Sequence, residues 1–139
     1  MTETPMTDIR QTYEAKCHCG KVHFKFRGEP VNAAIRCNCS MCRRKNAVMS
    51  TGCYSGDAFE IVTGKDCLGT YLFGDRKVKH HFCTNCGIYI FHQMGREQDH
   101  EEIELQGEFR VNLGCVDGID LEKLSVRVFD GHDSWRFLN

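Results

Sequence analysis

Apolar and polar residues alternate in short runs along most of the chain. Val22, Phe24 and Phe26 are separated by His23 and Lys25, and this period of two is typical of a strand with one buried face. Similar or β-rich runs predict strands at 47–53, 58–63, 69–73, 78–82, 88–92, 110–113 and 125–129. Glycines between these runs are turn residues. The pattern predicts a mainly β protein.

Two segments break the alternation and predict short helical turns. Residues 40–46 are helix-tolerant and begin with a candidate cap at Ser40, so one turn is expected to carry Cys42 and the basic residues after it. Residues 119–124 predict a second short turn. The segment 96–108 is polar and strongly acidic, which predicts a solvated loop.

The length and charge of the chain indicate a single domain and argue against a protein that binds nucleic acids or membranes. Its 139 residues suit one domain, which we place at 13–139 after a flexible, polar tail at 1–12. The 18 basic residues nearly balance the 19 acidic ones, so the chain lacks the basic field that binds nucleic acids. No apolar run reaches the roughly 18 residues of a membrane span, and the N-terminus lacks the apolar core of a signal peptide. We therefore expect a cytoplasmic protein that binds neither membranes nor nucleic acids.

The cysteines are the residues that indicate a function, because their spacing is typical of metal ligands. Seven of the ten cysteines lie in three short clusters. The clusters read Cys17-His18-Cys19-Gly20, Cys37-Asn38-Cys39-Ser40-Met41-Cys42 and Cys83-Thr84-Asn85-Cys86-Gly87. A reducing cytoplasm keeps thiols free and favours metal binding for such spacings. Cysteines one residue apart rarely form an unstrained disulfide, whereas both can reach one ion.

The first and third clusters supply four sulfurs, which predict a closed, structural zinc site on Cys17, Cys19, Cys83 and Cys86. An iron–sulfur centre is the main alternative for these ligands. A glycine follows each pair directly, and we expect a positive φ there, so that the backbone turns and aims its amides at the thiolates. Such a site commonly contributes on the order of 10 kcal/mol or more to folding.

The middle cluster supplies three sulfurs, Cys37, Cys39 and Cys42, which predict a second zinc with one open position. Two alternatives stay open: Cys53 completes a second closed site, or the three thiols bind no metal. Cys53, Cys67 and Cys115 lie in plain apolar surroundings and are interpreted as ordinary core or surface thiols. An open zinc position favours a soft ligand such as an external thiolate.

A basic run follows the middle cluster directly. Arg43, Arg44 and Lys45 are placed to neutralise three thiolates, and the two guanidiniums are candidates for holding the carboxylates of an anionic ligand. The plain alternative is a solvated basic turn. His80 and His81 precede Cys83 and are candidates for lying near either site. The alternative is that they are packing or surface residues of a strand, and we assign no general acid.

These motifs, with Val111-Asn112-Leu113-Gly114-Cys115 and Phe129-Asp130-Gly131-His132, resemble the glutathione-dependent formaldehyde-activating enzyme family, which includes the domain of centromere protein V. The likeness runs from about Tyr13 to Trp135. It implies a zinc-binding β-tent fold of antiparallel sheets, a structural zinc on the four outer cysteines and a catalytic zinc on the middle three. The oligomeric state is not predicted.

The resemblance also implies a carbon–sulfur lyase that joins formaldehyde, or another small aldehyde, to glutathione to give S-hydroxymethylglutathione. Either the metal activates the bound thiol, or it polarises the aldehyde oxygen while a nearby thiolate attacks. Two other functions are compatible with the sequence. One is a non-catalytic module that carries glutathione or a similar thiol, and the other is a structural β module whose zinc serves stability alone.

Overall fold

The computed structural model describes residues 10–73, 78–94 and 108–139. Within these ranges the chain forms eleven strands, one α-helix and four short 3₁₀ turns. The strands are β1 Gln11–Lys16, β2 His23–Gly28, β3 Ala33–Cys37, β4 Met49–Ser50, β5 Tyr54–Ser55, β6 Phe59–Thr63, β7 Leu68–Tyr71, β8 Val78–Cys83, β9 Tyr89–Met94, β10 Glu108–Val111 and β11 Ser125–Phe129. Helix α1 is Ser40–Lys45, and the 3₁₀ turns are Gly56–Ala58, Lys65–Cys67, Leu113–Cys115 and Leu121–Lys123. The prediction of a mainly β fold is confirmed.

The strands of the described residues form three sheets. The first has the order β1-β2-β6, the second β5-β10-β9-β8-β7 and the third β11-β3-β4. One pair departs from the expected antiparallel arrangement, because β11 runs parallel to β3, with Phe129 opposite Cys37. This pairing brings the end of β11 beside Cys37 of the middle cysteine cluster.

Most predicted elements are present with small shifts at their ends. The strand predicted at 125–129 has the predicted bounds, and the turns predicted at 40–46 and 119–124 are α1 and the 3₁₀ turn Leu121–Lys123. The strand predicted at 47–53 is wrong in extent: only Met49–Ser50 pairs with β3, and the chain then turns, with Ser50 Oγ donating to Gly52 O at 2.8 Å. Of the loop predicted at 96–108, residues 96–107 lie outside the described residues.

Three strands were not predicted: β1, β3 and the two-residue β5. β3 lacks the alternation of a half-buried strand, β5 is too short to show one, and in β1 only Tyr13 and Ala15 alternate with polar residues. β1 is an edge strand in which only Ala15 is buried. β3 lies between two strands, yet only Ala34 within it is buried. β1 begins at Gln11, two residues before the predicted start of the domain, and residues 1–9 lie outside the described residues.

Aromatic side chains fill the space between the first two sheets. Phe24 from β2, Phe59 from β6, and Phe91 and Phe109 from β9 and β10 are each at most 3% exposed. The rings of Phe59 and Phe109 stack with centroids 4.0 Å apart, and Phe91 meets both edge-on. Burial of such rings is a major source of stability, and here it holds the sheets that carry the outer cysteine pairs. In the described part of the chain, no helix is long and apolar enough to cross a membrane.

Candidate metal centres

The four outer cysteines converge beside the ends of β1 and β8. Cys17 follows β1, Cys83 ends β8, and Cys19 and Cys86 lie in the turns that come next. Their sulfur atoms all lie within 4.8 Å of one another, with 3.6 Å between Cys17 and Cys19 and 3.7 Å between Cys19 and Cys83. Four thiolates bound at about 2.3 Å around a tetrahedral zinc ion are about 3.8 Å apart. The cluster therefore has the dimensions of a zinc site.

The turns at this cluster have the backbone geometry that the sequence predicted. φ is 82° at Gly20 and 79° at Gly87, and glycine adopts such values without the steric cost of a Cβ. In the second turn, the amide N–H of Cys86 donates to Cys83 Sγ at 3.5 Å. Hydrogen bonds of this kind stabilise a thiolate, so the expectation for the two glycines is confirmed.

The thiols of this cluster differ in acidity. Burial raises the pKa of Cys17 to about 11. Hydrogen bonds from the Asn85 side chain and the Lys21 backbone lower the pKa of Cys19 to about 6. A cation at this position would favour the thiolate form of every ligand.

The middle cluster is built from the end of β3 and the start of α1. The sulfur atoms of Cys37, Cys39 and Cys42 all lie within 4.8 Å of one another. Cys39 also caps the helix, since its Sγ accepts the backbone N–H of Cys42 at 3.4 Å. The predicted cap at Ser40 is therefore wrong: Ser40 is the first helical residue, and the cap is a candidate metal ligand.

The structure supplies no fourth cysteine to this group among the described residues. Cys53 Sγ instead accepts a hydrogen bond from Arg110 Nη2 at 3.2 Å. Cys67 packs at the edge of the core, and burial raises the pKa of Cys115 to about 12. A tetrahedral ion held by the three sulfurs would thus keep one position for an external ligand.

The loop after β11 closes over one side of the middle cluster. Asn38 Nδ2 donates to Asp130 Oδ1 at 3.0 Å, and the N–H of His132 donates to Asn38 Oδ1 at 3.0 Å. A Cβ added at Gly131 would lie 2.6 Å from Cys37 Sγ. Only a glycine allows the loop to approach the sulfur this closely, which gives the Phe129-Asp130-Gly131-His132 motif a physical reason.

Lys45 is the basic residue that faces the middle cluster. Its Nζ is buried, has no hydrogen-bond acceptor within the described residues, and lies 4.0 Å from the centroid of the Tyr89 ring. Burial lowers the pKa of Lys45, while the negative charges of Cys42 and Cys39 act in the opposite direction. Burial raises the pKa of Cys42 to about 12, although the positive charge of Lys45 acts to lower it.

The two arginines that the sequence singled out lie on the outer side of α1. Arg43 and Arg44 are both exposed. Arg44 Nη1 donates to the backbone oxygen of Ser40 at 3.0 Å and to its Oγ at 2.8 Å. Arg44 and Lys45 also line a groove of about 550 Å³ between α1 and β7–β9, so Arg44 remains within reach of a ligand in that groove.

A cavity of about 350 Å³ opens beside the middle cluster. Cys37 and Cys42 form part of its wall, together with Lys45, His92 and Arg110. The other lining residues are apolar: Ile35, Ala47, Met49, Met94, Phe129, Trp135 and Phe137. The volume is at the small end of the roughly 300–1,000 Å³ typical of ligand pockets.

A buried network of three rings lies behind Lys45, and sequence reasoning missed it. Tyr89 Oη is 2.6 Å from His80 Nδ1 and 3.1 Å from His92 Nδ1. Burial lowers the pKa of His80 to about 4 and that of His92 to about 2, so both rings are neutral at pH 7. The sequence offered no local signal for this network, because His80 and His92 meet only as register partners in β8 and β9.

Two comparisons with known proteins bear on the family of this chain. A crystal structure of a Rhodobacter sphaeroides protein, a Northeast Structural Genomics target, is 33% identical in sequence, with a TM-score of 0.62. The similarity covers 81% of this chain and 98% of that one. The family model for the glutathione-dependent formaldehyde-activating enzyme matches residues 12–129, a range that contains both cysteine clusters. The chain therefore belongs to the glutathione-dependent formaldehyde-activating enzyme family.

Proposed function

We propose that this protein is a zinc-dependent carbon–sulfur lyase that joins a thiol such as glutathione to formaldehyde or another small aldehyde. The observation that carries the proposal is the convergence of three thiols, with no fourth cysteine among the described residues, beside a cavity open to a ligand. Membership of the family supports the same chemistry. None of the ten cysteines forms a disulfide, in keeping with a reducing cytoplasm.

Two zinc ions per chain are part of the proposal. Cys17, Cys19, Cys83 and Cys86 hold the structural ion, and Cys37, Cys39 and Cys42 hold the catalytic one. When bound, zinc lowers the pKa of a thiol at its open position and so supplies a thiolate near neutral pH.

The residues around the cavity prepare the reacting groups. Lys45 offsets the negative charge of the three thiolates, and the apolar side chains of the cavity lie beside the reacting groups. In the reaction a carbon–sulfur bond forms, the carbonyl double bond becomes a single bond, and the proton that leaves the thiol ends on the former carbonyl oxygen. No other reactant is consumed. Arg43 and Arg44, on the outer side of α1, remain candidates for binding the carboxylates of glutathione.

The test combines zinc content with the rate of reaction. We expect two zinc ions per reduced, metal-replete wild-type chain, and exchange between formaldehyde and S-hydroxymethylglutathione, followed by NMR, that is faster than the uncatalysed background. Cys39→Ser should keep one zinc and lose the acceleration. Cys67→Ser changes a partly buried thiol outside both clusters, and it should retain two zinc ions and the full rate.

Two results would contradict the proposal in different ways. One zinc ion per wild-type chain would mean that the middle cluster holds no zinc and that there is no open metal site. Two zinc ions with exchange at the background rate would instead favour a non-catalytic module that carries the thiol.

A further inference from the structure

The cavity beside the middle cysteine cluster has more apolar surface than a formaldehyde molecule can cover. Six large side chains from separate parts of the chain line it: Ile35, Met49, Met94, Phe129, Trp135 and Phe137. Formaldehyde carries no carbon beyond its carbonyl and would leave this wall in contact with water. Apolar surface gains free energy when a ligand covers it, so the wall favours a larger, apolar molecule.

The polar groups of the cavity are not equally available to a ligand. Arg110 already donates from Nη1 to Ser50 O at 2.7 Å and to Thr51 O at 2.9 Å, and from Nη2 to Cys53. His92 Nδ1 is engaged by Tyr89. Lys45 Nζ, by contrast, is buried with no acceptor among the described residues. A buried ammonium group without an acceptor gains most from a ligand oxygen.

We propose that this cavity binds a carbonyl compound that carries an apolar group, with its oxygen toward Lys45 and its apolar group against the six side chains. The inference rests on the proposed function, since the same cavity adjoins Cys37 and Cys42. It extends that function from formaldehyde to aldehydes that carry an apolar group. The charge on Lys45 would then face the oxygen that becomes negative as the sulfur attacks.

Trp135 at the rim of the cavity provides a direct readout of binding. It is the single tryptophan of the chain, is 72% exposed, and packs edge-on against Phe129 with centroids 5.6 Å apart. Its φ of 58° is uncommon for a bulky residue, and its backbone N–H donates to Asp130 O at 2.8 Å. A ligand in the cavity would change the surroundings of this ring.

The experiment uses linear primary amides, which keep a carbonyl oxygen but do not react with thiols or lysines. Formamide through hexanamide are titrated into the zinc-loaded protein while Trp135 fluorescence is followed. We expect affinity to rise by up to about fourfold for each added methylene, as burial of one CH₂ predicts, until the cavity is filled. Equal affinities along the series would overturn the proposal.

Matched variants locate the binding. Phe137→Ala should reduce the gain for the longer amides, whereas Leu121→Ala, at a similarly exposed apolar residue outside the cavity, should leave it unchanged. Lys45→Met should weaken the binding of every amide by about 10- to 100-fold, in line with the loss of a charged hydrogen bond, while the exposed Lys65→Met should not. If Lys45→Met fails to fold, the comparison of Phe137→Ala with Leu121→Ala still tests the proposal. The same increase of affinity with amide chain length in both variants would overturn it.

The rate assay separates this proposal from the proposed function. Chain-length-dependent amide binding without acceleration of any thiol–aldehyde reaction would support the cavity assignment and contradict the enzyme. Acceleration with formaldehyde, with no dependence of amide binding on chain length, would support the enzyme and overturn the cavity assignment.

Discussion

At the scale of single residues, neighbours in sequence face different surroundings. Arg43, Arg44 and Lys45 are consecutive basic residues, yet only Lys45 has its charged atom buried near the middle cluster. Residues three apart on a helix share a face, so Lys45 lies on the same side of α1 as Cys42. The charge on the three residues could be read from the sequence, but which of them faces the sulfurs depends on where the helix starts.

Gly131 gives a prediction at this scale. A methyl group at this position would lie 2.6 Å from Cys37 Sγ, which forces the loop or the sulfur to move. We expect Gly131→Ala to weaken zinc binding at the middle cluster by roughly one to two orders of magnitude, because overpacking typically costs about 1–3 kcal/mol. Competition with a chromophoric chelator measures the affinities of the two zinc sites.

The matched control is Gly52→Ala, since a Cβ at Gly52 meets nothing within 4 Å. This variant should bind both zinc ions as the wild type does. Unchanged affinity at the middle cluster in Gly131→Ala would show that the loop does not constrain Cys37.

At the scale of elements, strand pairing creates contacts that no local pattern contains. β8 and β9 are antiparallel neighbours, and their register places His80 opposite His92. Tyr89 at the start of β9 bonds to both rings. Twelve residues separate the histidines, so the pair follows from register alone. The strands themselves were predictable from alternation, but their partners were not.

The buried histidines predict a loss of stability in acid. The pKa of His92 is about 2 in the folded protein and about 6.5 in an unfolded chain. Below pH 6.5 the unfolded state binds a proton that the folded state does not, so the free energy of unfolding falls as the pH falls. At pH 5 this one residue should cost up to about 2 kcal/mol relative to pH 7.5.

His92→Gln removes this contribution. The free energy of unfolding of the variant relative to the wild type should rise by up to about 2 kcal/mol between pH 7.5 and pH 5, measured by urea denaturation. Protonation of the cysteine thiolates affects both proteins, so the comparison isolates His92. His132→Gln, at an exposed position, is the control. Parallel pH profiles for His92→Gln and the wild type would rule out the buried neutral histidine.

At the scale of the whole molecule, the two cysteine clusters should contribute differently to stability. The outer cluster joins segments far apart in the chain, since Cys19 and Cys83 are separated by 64 residues. The middle cluster lies within one strand–helix connection and closes no long loop. Zinc at the outer cluster should therefore hold the fold together, and zinc at the middle cluster should not.

Cys83→Ser and Cys39→Ser test this difference. A structural zinc site is worth about 10 kcal/mol or more, which is comparable to the whole stability of a domain, about 5–15 kcal/mol. We expect Cys83→Ser to abolish cooperative thermal unfolding and Cys39→Ser to preserve it, as followed by circular dichroism. Equal loss in both variants would mean that the middle cluster is also structural.

The sequence by itself determined the local features of this protein. Alternation predicted most strands, and cysteine spacing with its flanking glycines predicted both clusters, because strand pleat and ligand spacing are properties of neighbouring residues. Only the tertiary structure decided that β11 pairs in parallel with β3, that Gly131 packs against Cys37, and that Lys45 lies at an apolar cavity. These contacts join residues distant in the chain, or depend on the residue at which helix α1 begins. Their energies come from packing and burial, which a local sequence pattern does not specify.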